Sequence, residues 1–208
     1  IAQETGAKVH LCRISTAEGV DMIRAAKRAG NQVTCDVSAN HLHLTDFDIG
    51  FFDANTHLKP PARSQRDKTA LSAGVADGTI DAICSDHTPV DDDAKLYPFA
   101  QAEAGATGLE LLLPLTLKWA EENKIALSKA IETITQTPAK ILGVAAGDIA
   151  INANADLCIF DPKQYWKVER KALVSQGKNT PFLGYEMQGR VTHTLLHGQT
   201  VYQQKPAS

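Results

Sequence analysis

The sequence predicts an α/β protein, the C-terminal half of a (β/α)8 TIM-type barrel followed by a small β domain, and three observations lead there. Short apolar runs alternate with helical stretches through the first two thirds of the 208 residues, the pattern of βα units on a parallel sheet. Long polar connections follow two of these runs, Ser38 to Arg66 and Asp86 to Ala106, where such a fold carries its functional loops. Beyond Gly147 the pattern changes to short alternating strands. A whole barrel takes about 250 residues, so residues 1–147 are expected to supply part of one and residues 148–208 a β-rich appendage on its flank.

In chain order, Ile1 to Gly6 reads as the last turn of a helix closed by glycine, and a start without Met suggests a piece of a longer chain. Lys8 to Ile14 reads as a strand. Ser15-Thr16 can cap a helix from Ala17 to Ala29, with Val20, Ile23 and Ala26 at helical spacing and Gly30 closing it. Gln32 to Val37 is the next strand, Asp67 to Asp77 a helix, and Ala82 to Cys84 a brief strand buried on both faces. Gly108 to Asn123 is a strongly apolar helix, and Pro114 predicts a kink near Leu111. Ser128 is expected to cap a helix to Thr135, and Pro138 to open a short one to Leu142. Ala155 to Phe160 reads as a strand stopped by Asp161-Pro162, Trp166 to Val168 as a short extended piece, and Gly189 to Gln203 as two strands about His197-Gly198-Gln199.

Composition narrows the function. A net charge of -3 with mixed charges leaves no basic stripe, so nucleic acid is not expected as a partner. No apolar run approaches the ~18 residues of a membrane span and no signal peptide is visible, which points to a cytoplasmic protein. Cys12, Cys35, Cys84 and Cys158 are scattered singly, three of them inside predicted strands. They are expected to be small buried hydrophobes without a chemical role.

The stretch that organises the chain is Asp81 to Pro89, where an apolar run ends in Ser85-Asp86-His87. Asp86 falls at the C-terminal end of a parallel strand, the position of a candidate general base; the alternative is an Asp that caps the following loop. Other stretches then bear on it: Val9-His10-Leu11-Cys12-Arg13-Ile14-Ser15-Thr16, Asn40-His41-Leu42, Pro60-Pro61-Ala62-Arg63, Ser85-Asp86-His87-Thr88-Pro89 and Gly177-Lys178-Asn179-Thr180-Pro181-Phe182. In this order, across nearly the whole chain, they resemble the dihydroorotases of the amidohydrolase superfamily. The resemblance implies reversible cyclisation of N-carbamoyl-aspartate to dihydroorotate in pyrimidine synthesis, at one or two zinc ions. It implies Asp86 as the proton-transferring carboxylate and His41 as a zinc ligand, while the family's His-x-His pair and bridging carboxylate would lie before Ile1. A metal-activated hydroxide and a carboxylate that moves the proton to the leaving nitrogen are what opening a cyclic amide requires.

Three positions depart from the family's pattern. Arg13 stands where a zinc-binding His is expected, and a guanidinium has no lone pair to offer a metal. His10, three residues earlier, would point to the other face by strand alternation. Lys59 replaces a substrate-contacting Asn, and Val90 replaces a His. Arg13, Lys59 and Arg63 in one mouth would put cations where a dication belongs and could hold Asp86 in an ion pair. Two readings follow. One is an active, zinc-dependent dihydroorotase. The other, favoured by Arg13, is a homologue without metal or catalysis that supports aspartate transcarbamoylase. A homo-oligomer is expected in either.

Overall fold

The computed structural model of the chain describes residues 2–204. A short helix α1 (Ala2–Thr5) precedes β1 (Val9–Leu11), α2 (Ala17–Arg28), β2 (Val33–Ser38), α3 (Gln65–Ala76) and β3 (Ala82–Cys84). These strands form one parallel sheet in the order β1-β2-β3, with Leu11 opposite Cys35 and Ser38 opposite Cys84. All three therefore end on one side, and the segments after them meet there. Three helices follow, α4 (Leu112–Glu122), α5 (Leu127–Glu132) and α6 (Gln136–Leu142). An antiparallel sheet closes the described chain, with β4 (Leu157–Lys167) paired to β5 (Glu186–Leu196) and β5 to β6 (Gln199–Gln203).

Local chemistry sets most boundaries. Thr16 caps α2 by accepting from the Gly19 N–H at 3.0 Å. At α3, Ser64 and Asp67 cap each other reciprocally, which starts the helix at Gln65, two residues before the expected Asp67. The second Asp67 oxygen accepts from Ala17 N–H at 2.9 Å and joins the starts of α2 and α3. The bend expected near Leu111 is a tighter turn over Leu109–Leu111, from which α4 continues with Pro114 in its first turn, where no N–H is needed. The long segment after β2 is built from three single turns, Ala39–Leu42, Asp46–Ile49 and Ala54–Thr56.

Several expectations need correction. The first strand stops at Leu11, because Arg13 turns into the left-handed region at φ 57°. Ser128 caps nothing: α5 begins one residue earlier and ends at Glu132. Asp161-Pro162 does not stop its strand, since β4 runs on to Lys167 and an irregularity between Asp161 and Tyr165 takes the proline out of the ladder. The β5–β6 turn is as expected, with positive φ at both His197 and Gly198.

The buried core is continuous from one sheet toward the other. Cys35, Val37 and Ile83 of the parallel sheet, Leu71 and Val75 of α3, Leu115 and Trp119 of α4, and Phe182 and Met187 belong to one hydrophobic cluster. The helix α4 comes so close to β5 that a Cβ on Gly189 (φ 96°) would lie 2.4 Å from Leu117 Cδ1. By contrast, residues 143–154 are exposed throughout. Of the thiols, Cys35 is buried, and burial pushes it up to about 11. Cys12 and Cys158 are exposed, against expectation, because β1 is half open and Cys158 faces outward on β4.

Candidate active site

The ends of β1 and β3 carry the two residues that meet in the mouth. Arg13 (φ 57°) and Asp86 (φ 45°) both lie in the left-handed region, a strained choice for side-chain-bearing residues. The turn at Arg13 aims its N–H at Asp36, whose Oδ1 accepts at 2.8 Å. Its guanidinium then reaches across the mouth, donating from Nη1 to Asp86 Oδ1 at 3.1 Å and to the Lys59 carbonyl at 3.2 Å. One side chain thus joins the segments after all three strands. The Asp86 side chain is 9% exposed and that of Arg13 45%. Among the described residues Arg13 is the one cation paired with Asp86. Lys59 takes part through its backbone, and Lys59 and Arg63 are exposed, so of the three cations expected around Asp86 one is paired with it, while the charge of Arg63 acts on His41.

His41 follows the end of β2 and is 2% exposed. Burial pushes its pKa down, with the Pro61 carbonyl and the charge of Asp86 opposing. The neutral ring donates from Nε2 to the Pro61 carbonyl at 3.1 Å, while its Nδ1 and the neighbouring Asn40 Nδ2 are buried without a hydrogen-bond partner. The geometry makes His41 an anchor for the Lys59-Pro60-Pro61 turn, which in turn presents the carbonyl that holds Arg13.

The segment carrying Asp86 is fixed from two sides. His87 Nδ1 accepts from the N–H groups of Gly108 and Leu109 at 3.1 and 3.3 Å, which needs a neutral imidazole with its proton on Nε2; burial lowers its pKa accordingly. Asn179, 3% exposed, accepts at Oδ1 from Val90 N–H (3.0 Å) and the Thr107 hydroxyl (3.2 Å). Its Nδ2 donates to the carbonyls of Thr88 (3.2 Å) and Gly105 (3.1 Å). A Lys-Asn-Thr-Pro-Phe pattern could be recognised as a motif, but nothing in it said that its amide clasps a loop ninety residues earlier.

Sequence reasoning also passed over Asp36. Its signal was present: a lone carboxylate inside an apolar strand is rarely buried without partners. It accepts from Arg13 N–H and, at 3.3 Å, from the Cys84 thiol, and it pairs through Oδ2 with His10 Nε2 at 2.9 Å. His10 therefore faces the same network as Arg13. The alternation argument against it fails because the strand ends before residue 13.

The donors in the mouth do not suit a zinc ion. Arg13 offers no lone pair and already gives Asp86 its counter-charge, so His41, whose Nε2 proton is held by a carbonyl and whose Nδ1 lone pair is unpartnered, stands as a single donor where zinc needs several.

Comparison with known proteins places this architecture. A family model described as the amidohydrolase family matches residues 2–201. The chain belongs to the amidohydrolase family. This amidohydrolase chain is similar to the dihydroorotase of Geobacter sp. (strain M21), 42% identical over 98% of the chain and 48% of the relative, and to that of Citrifermentans bemidjiense, 43% identical over the same shares. It thus spans about half the length of the curated relatives it matches. Among solved structures it is similar to L-hydantoinase (dihydropyrimidinase) from Arthrobacter aurescens, with a TM-score of 0.89 and 28% identity over 97% of this chain and 46% of that one. Dihydropyrimidinase from Brevibacillus agri NCHU1002 gives 0.90 at 22% identity over the same shares, a likeness of fold. The parallel sheet of this amidohydrolase-family chain is accordingly part of a (β/α)8 barrel, with Arg13, His41 and Asp86 at its C-terminal face.

Proposed function

We propose that this chain is part of a dihydroorotase-type protein of pyrimidine biosynthesis whose mouth has lost metal and catalysis, and which supports aspartate transcarbamoylase as a structural partner. Residues 1–147 supply barrel and residues 148–208 the β-rich appendage. The observation that carries this reading is the Arg13–Asp86 ion pair. A proton-transferring carboxylate must offer a free lone pair to the substrate. Asp86 has Oδ1 engaged by a guanidinium, which leaves Oδ2 for the substrate, and that guanidinium stands where a ligand of the metal would be required.

The second reading is an active zinc-dependent dihydroorotase interconverting N-carbamoyl-L-aspartate and dihydroorotate, acting on a small cyclic amide. It is favoured by the place of Asp86 at the end of its strand and by the dihydroorotase relatives. In it Asp86 moves the proton and His41 serves as a ligand.

Mixing the full-length protein with aspartate transcarbamoylase, followed by size exclusion with light scattering, decides between them alongside a dihydroorotate assay. A complex at micromolar concentration that persists in Asp86→Asn, with no dihydroorotate turnover in the wild type, is expected. Turnover that Asp86→Asn abolishes, or no complex, overturns the proposal. Arg13→His alone is not expected to create activity, because Lys59 and Val90 remain.

A further inference from the structure

Beside the mouth's ion pair, the parallel sheet gathers a second set of donors. His10 and Cys12, both on one side of the β1 chain, converge with Asp36 of β2, so that a ring nitrogen, a thiol sulfur and a carboxylate oxygen all lie within 4.8 Å of one another. These are three different donor atoms, from β1, the residue just past its end and β2, and the Arg13 N–H holds the carboxylate. We infer that His10, Cys12 and Asp36 form a binding site for a borderline-soft divalent cation, zinc by preference, in the barrel wall, next to the Arg13–Asp86 pair and joined to it through the Arg13 N–H that Asp36 accepts.

The donor chemistry selects the ion. A nitrogen, sulfur and oxygen set suits zinc, whereas calcium and magnesium take oxygen shells. Tetrahedral zinc bonded at about 2.0–2.3 Å sets its ligands about 3.3–3.8 Å apart, so the site closes with side-chain shifts of about an ångström. The shell around it is already prepared. His10 Nδ1 lies 2.8 Å from Thr34 Oγ1, and donating there frees the Nε2 lone pair for the ion. Asp36 Oδ1 is held by Arg13 N–H and the Cys84 thiol, which leaves Oδ2, now 2.9 Å from His10 Nε2, to bind. Cys12 is exposed, which gives the ion a path in and leaves a fourth position to water. On binding, the Cys12 thiol releases its proton to solvent and becomes the thiolate ligand, and the proton between His10 and Asp36 is displaced.

Cobalt(II), which reports its own ligands, is the probe. Titrated into the reduced full chain, it should give a saturable one-to-one complex with a thiolate-to-cobalt charge-transfer band, and zinc should displace it. Cys12→Ser should abolish the band and His10→Ala should weaken binding at least about tenfold. Cys158→Ser and Asp86→Asn should leave both unchanged. Cys12 is exposed, so its substitution should spare the fold, and the circular dichroism spectrum checks this. No saturable binding at micromolar cobalt overturns the inference, as does a band that survives Cys12→Ser or depends on Cys158 or Asp86.

Discussion

Asp86 has little water around it and one cation beside it, so the cost of removing that cation should fall mostly on the carboxylate left behind. Arg13→Met is expected to destabilise the fold by about 1–3 kcal/mol in urea denaturation. Asp86→Asn in the Arg13→Met background should recover part of that loss, and if the two changes add independently the pair has no energetic role. A second residue sets a pH dependence. His43 has a side chain 5% exposed, its Nε2 on the Leu115 carbonyl at 2.9 Å, and burial pushes its pKa down to about 4. The unfolded chain takes up this proton near the ordinary histidine pKa and the folded one only near 4. The neutral ring therefore contributes stability that is complete above that ordinary value and lost as the pH falls through the window toward 4. The contribution is on the order of 3 kcal/mol. Urea midpoints between pH 7 and pH 4.5 should drop less in His43→Gln than in the wild type. Equal drops would sink the assignment.

At the level of elements, the segment after β3 depends on close backbone contacts as much as on hydrogen bonds. A Cβ on Gly108 would meet the Ser85 carbonyl oxygen at 2.2 Å, so Gly108→Ala must drive α4 away from the strand end that bears Asp86. A loss of about 2–4 kcal/mol is expected. Asn179→Ala leaves the Val90 N–H without its acceptor and the Thr88 and Gly105 carbonyls without their donor, and should cost about as much. The Val90 amide should then exchange faster with solvent than in the wild type. How far such elements could be read from the sequence varied with the range of the forces behind them. Helix α2 and the His197-Gly198 turn were legible because capping and left-handed residues act within a few positions. The end of β1 was not, because what bends the chain at Arg13 is an acceptor on a neighbouring strand. The Asp86 position was legible from the abrupt end of an apolar run, and its pairing was open as one possibility. Its clasp by Asn179 depended on tertiary placement that no local pattern encodes. The passage of β4 through Pro162 was missed for the same reason: a bulge is decided by the partner strand.

At the scale of the whole molecule, the parallel sheet is unevenly protected. All of β2 from Cys35 to Ser38 is buried, whereas His10 to Cys12 are exposed and β1 has one strand neighbour among the described residues. Parallel strands are ordinarily covered on both faces. In the 208-residue chain taken alone, amides of β1 should therefore exchange well before those of β2, and equal protection would mean that something covers β1 in solution. No described helix is long and apolar enough to cross a membrane. The exposed stretch 143–154 offers a protease a single accessible crossing between the helices and the second sheet. A cut there would sever the covalent chain yet leave Phe182 and Met187 in the common core and Asn179 still gripping Thr88 and Gly105. The nicked protein should elute as one species in native size exclusion and fall into two fragments only in denaturant, so that the two pieces, expressed separately, would complement each other.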